Sequence, residues 1–67
     1  MQNPYRKLVQ RLREEFEERP GLRLTVLEAS RFWAVDEVTC GRVLTELMRE
    51  GFLALGVDDR FQIDAAA

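Results

Sequence analysis

Residues 31–52 read "RFWAVDEVTCGRVLTELMREGF", and the punctuation of this stretch decides the fold. Cys40, Val43, Leu44, Leu47 and Met48 recur at the spacing of one helical face. Asp36 stands just ahead of them as an N-cap, and Glu37 in the first turn suits the helix dipole. Gly51 stands just past the pattern, where a helix takes a left-handed C′ residue. The spacing therefore predicts a helix between Asp36 and Gly51, with Ala34-Val35 as the turn before it.

Upstream, Thr25-Val26-Leu27-Glu28 has the form of a capping box and predicts a short helix over about 26–33. Leu22-Arg23-Leu24 is short and alternating, as a small strand would be. Asn3-Pro4 is a helix start, and Tyr5, Leu8, Val9, Leu12 and Phe16 trace an apolar stripe that ends before Pro20-Gly21. Downstream, Phe52–Leu55 and Arg60–Ile63 are strand candidates around the turn residues Gly56-Val57-Asp58-Asp59. Asp64 and the terminal alanines are expected to fray. One small domain fills residues 1–67, with its ordered core over about 3–64.

The order is helix, short strand, helix, helix, hairpin. In that order the chain resembles a winged helix-turn-helix domain, of the kind found in small bacterial transcription regulators. Ala29, the stretch "VDEVTCGRVLTEL" (35–47) and the joint "REGFL" (49–53) carry the resemblance, which covers nearly the whole chain. The implied fold is α+β: three helices with a small antiparallel sheet, the wing hairpin. One departure stands out. The turn glycine usual between the second and third helices is replaced by Trp33-Ala34-Val35, with a spacing one residue longer.

The resemblance implies a third helix that enters the DNA major groove. Its residues off the apolar face are Glu37, Val38, Gly41, Arg42, Thr45 and Arg49, and the wing adds Arg60. Arg42 stands where such helices contact phosphate or guanine. The plainer reading makes Arg42 and Arg49 solvated charges paired with Glu46 and Glu50, and makes Asp58, Asp59 and Arg60 a polar turn.

Charge works against DNA. The pI is about 5.0, whereas nucleic-acid binders run above about 9. Residues 1–24 hold six cations against four carboxylates, and residues 25–67 hold four against eight, so the net is −2. The half expected to read DNA is the acidic half, where the phosphate term is weak. Two functions therefore stay open: a DNA-binding regulator, or a protein-interaction or dimerisation module on the same scaffold. An aromatic anchor would serve the second. Phe32 and Trp33 cannot face the same way along a helix, yet both are expected to pack, beneath the first helix and the hairpin.

The lone Cys40 excludes an internal disulfide and fits a reducing cytoplasm; it is expected to act as a core hydrophobe. Without histidine, neither a zinc site nor a Cys–His nucleophile is expected. The Glu14–Glu18 cluster is no spaced acid–base pair, so no enzyme, cofactor or small-molecule ligand is expected. The first residues lack the apolar core of a signal peptide. No apolar run approaches the roughly 20 residues of a membrane span.

Overall fold

The computed structural model describes residues 3–65. The first helix, α1, covers Pro4–Glu18. Asn3 caps it by accepting the Tyr5 backbone N–H at 2.9 Å. The second, α2, covers Val26–Phe32 and starts on the expected capping box. The Glu28 N–H donates to Thr25 Oγ1 at 3.1 Å, and the Thr25 N–H donates to the Glu28 carboxylate at 2.9 Å. The third, α3, covers Glu37–Arg49, and Asp36 accepts the Thr39 N–H at 2.9 Å.

Both α2 and α3 end on a left-handed C′ residue followed by an N–H that reaches back five residues. The Phe52 N–H reaches back to Leu47 O and the Gly51 N–H to Met48 O, while Gly51 takes φ 81°. At the end of α2 the Val35 N–H reaches Ser30 O, and the C′ position is filled by Ala34 at φ 55°. Ala34 thus does the work of the turn glycine, with the strain a Cβ brings to left-handed backbone. Ala34→Gly should relieve that strain, less the entropy it adds to the unfolded chain. A net stabilisation of about 0.5–1 kcal/mol is expected, read as a thermal midpoint roughly 2–8 °C higher. A midpoint that falls would show that Ala34 is unstrained.

The hairpin consists of β1, Leu53–Leu55, and β2, Phe61–Ile63. They pair antiparallel with Leu53 opposite Ile63 and Leu55 opposite Phe61. Beyond the strands the Gly56 N–H donates to Arg60 O at 2.9 Å and closes a three-residue loop, 57–59, with Asp59 in the left-handed region at φ 63°. The predicted strand at 22–24 shrinks to one bridge, Leu24 to Phe61. The Pro20-Gly21 turn on one side and the Thr25 cap on the other leave room for no more. Asp64 is not frayed: its N–H donates to Phe52 O at 3.0 Å. The last two alanines lie outside the described residues.

Three helices and a two-stranded antiparallel sheet make an α+β arrangement consistent with a winged-helix-like fold. The core joins Val9, Leu12 and Phe16 of α1 to Val43, Leu44 and Leu47 of α3, and Leu53 and Phe61 close it from the hairpin. Cys40 lies in this core, fully buried, and burial pushes its thiol pKa up. The aromatic pair divides. Trp33 is buried, but Phe32 is 51% exposed, which corrects the expectation that both pack. Trp33 caps α2 and turns under α1, leaving its predecessor outside.

Candidate interface on the third helix

The exposed side of α3 follows from its core side. Once Cys40, Val43, Leu44 and Leu47 are buried, positions 38, 42, 45 and 49 form a stripe facing away from them. Val38, Gly41, Arg42, Thr45 and Arg49 line one open groove of about 610 Å³. Tyr5 of α1 and Val26 of α2 complete its walls, and Glu37 and Glu46 also border it.

Gly41 forms part of the floor. A Cβ there would meet only Val26 Cγ1, at 3.7 Å, an ordinary contact. Nothing inside the fold requires glycine at this position, although it costs a helix about 0.5–1 kcal/mol relative to alanine. What glycine does provide is depth in the groove.

Arg42 and Arg49 are exposed, and neither has an ion pair among the described residues. The expected partners are occupied elsewhere or stand apart: Glu50 holds Arg13 at 3.1 Å, and Glu46 forms no salt bridge among the described residues. Arg13 also lies over the Phe52 ring, 4.6 Å from its centroid.

Arg60 stands outside this groove. Its guanidinium is forked onto Glu28, Nε to Oε1 and Nη2 to Oε2, both at 3.1 Å. Asp58 of the wing accepts from Arg60 Nη1 at 3.5 Å and from Arg23 Nη2 at 2.7 Å. The Arg60 side chain, then the Thr25 N–H, pull the Glu28 carboxyl down to about 2. Burial opposes ionisation of Asp58, but the Arg60 backbone N–H and the Arg23 charge outweigh it and lower its pKa. The described wing therefore presents no unpaired cation, and at its tip Val57 is fully exposed.

The structure thus gathers six of the seven candidate residues, Glu37 to Arg49 of α3, and places Arg60 in a clasp between the wing and α2. Sequence reasoning missed Tyr5, Val26 and the clasp. Glu28 and Arg60 are 32 residues apart, so no local spacing could have joined them. The chain matches no protein-family model, no curated protein and no solved structure. Among the described residues no cluster of His, Cys, Asp or Glu is placed to hold a metal ion, and no helix is long and apolar enough to cross a membrane.

Proposed function

We infer that this chain is a small winged-helix DNA-binding domain of the transcription-regulator type, and that it reads duplex DNA through α3 alone, without the wing. One observation carries the reading: Arg42 and Arg49 line the same groove as Thr45 and Gly41 and have no ion pair among the described residues, while the wing cation is bound internally. Arg42 and Arg49 are seven residues apart, which is about 10 Å along a helix axis, or roughly three nucleotide steps of one strand. Thr45 between them can accept from or donate to a base edge.

Fluorescence anisotropy with labelled duplexes at about 50 mM salt tests this. Binding should weaken steeply with salt, and Arg42→Ala and Arg49→Ala should each lower affinity by roughly tenfold. Arg60→Ala, at a temperature where it stays folded, should change affinity by less than about threefold, since a clasped guanidinium makes no phosphate contact. No binding at tens of micromolar protein would overturn the reading. The alternative, a protein-interaction module that binds no DNA, is favoured by a specific observation: Val38, at the leading end of α3, is 70% exposed beside the exposed Glu37. Apolar and acidic side chains there suit a protein better than a phosphate chain.

A further inference from the structure

Two residues of the third-helix groove have an identity that the fold does not require. Gly41 is one, and Tyr5 of α1 is the other. Tyr5 lines the groove from the α1 side. Its ring is half-buried and packs against the core. Its hydroxyl is neither bonded nor buried. Among the described residues it has no hydrogen-bond partner, and no buried side-chain nitrogen or oxygen lacks one. A phenylalanine would fill the same space, so nothing inside the fold uses the hydroxyl.

The charges show what could use it. The helices α2 and α3 each carry a carboxylate in the first turn, Glu28 and Glu37, whereas the first turn of α1 carries none. Arg6 and Lys7 follow Tyr5 there. Both are exposed, and neither has an ion pair among the described residues. Cations near a helix N-terminus oppose the helix dipole, so the stability of α1 gives no reason for them. They do keep the potential beside Tyr5 positive, while Glu37 makes it negative at the leading end of α3. A phosphate chain at this groove is therefore repelled at Glu37 and attracted on the α1 side.

We propose that Tyr5 is a phosphate-positioning residue: its hydroxyl donates to a backbone phosphate of the duplex that α3 faces, beside Arg6 and Lys7. The role rests on α3 reading duplex DNA, and it fixes the side of the groove on which the backbone lies. Phosphate contacts carry no base information, but they set the register in which a recognition helix docks. A phenol on a half-buried ring suits this task. It loses little entropy on binding, and its bond to an anionic oxygen is charge-assisted. Gly41, without a Cβ, leaves the groove floor open to a close approach.

Tyr5→Phe removes the hydroxyl and keeps the ring. The test is anisotropy of the whole chain with an A·T-rich and a G·C-rich labelled duplex, from about 50 to 200 mM salt. Affinity should fall roughly tenfold, by the same factor on both duplexes. The salt slope should stay that of the wild type, since a neutral donor releases no counterion, whereas Arg49→Ala should flatten it by about one. The thermal midpoint of Tyr5→Phe should not move. A wild type that binds neither duplex removes this role together with the DNA reading. A wild type that binds, matched within about twofold by Tyr5→Phe, overturns the role alone. So does a loss confined to one duplex, which marks a base contact, or a loss accompanied by a lowered midpoint, which marks a packing role.

Discussion

Trp33→Ala is expected to leave the domain largely unfolded at 37 °C. The indole is 6% exposed, and its ring lies 5.5 Å from Phe16 at the centre of the α1 packing face. Its Nε1–H donates to Glu15 Oε1 at 2.9 Å, and the same oxygen accepts from Arg19 at 3.0 Å. Truncating a buried Trp costs about 3–5 kcal/mol. A chain of this length holds only about 3–10 kcal/mol in total. The loss therefore consumes a large part of the margin. Trp33→Phe keeps most of the ring and gives up the Glu15 bond, so about 1–2 kcal/mol is expected there. Urea unfolding followed by far-UV circular dichroism distinguishes the two. A Trp33→Ala loss below about 1 kcal/mol would show that the indole is not core.

The contrast between Trp33 and Phe32 shows how far sequence reading reached. The helix starts and the stop of α3 were legible. The Asn3, Thr25 and Asp36 caps, the Gly51 stop and the helix limits follow from hydrogen bonds that a short peptide already makes. The outer stripe of α3 was legible too, because burying Cys40, Val43, Leu44 and Leu47 leaves Val38, Arg42, Thr45 and Arg49 outside. Period alone could not assign the aromatics. They sit where α2 stops, and the left-handed Ala34 decides which ring turns inward. The groove was half legible for the same reason: its α3 wall is periodic, but Tyr5 and Val26 join it only through packing. Arg60 was the residue least open to prediction. Sequence reading placed it at the wing beside Asp58 and Asp59, but its chief partner is Glu28, on another element.

That partner makes the fold sensitive to acid, and Glu28→Gln is the variant that isolates it. Glu28 serves two structures at once. One carboxylate oxygen accepts the Thr25 N–H and completes the capping box, and both oxygens hold Arg60. Its pKa falls from an ordinary 4.5 to about 2 in the folded chain. A carboxylate lowered by folding contributes stability that is fully present above its unfolded value. That contribution is lost as pH falls from about 4.5 towards 2. Asp36, lowered chiefly by the Thr39 N–H, and Asp58 act in the same direction. The wild type should therefore lose stability steeply across this window, with urea midpoints at pH 7, 4.5, 3 and 2.5 tracing the fall. In Glu28→Gln the amide oxygen can still accept from Thr25, so the cap survives, but no charge remains to hold Arg60. The variant should be less stable at pH 7 and show a shallower acid limb, not a flat one, since the two aspartates still titrate. Amide exchange at Gly56 and Asp59, whose N–H groups close the hairpin loop, should quicken in the variant at pH 7. An acid limb as steep as the wild type's would mean that the Glu28–Arg60 clasp contributes nothing to holding the wing against α2.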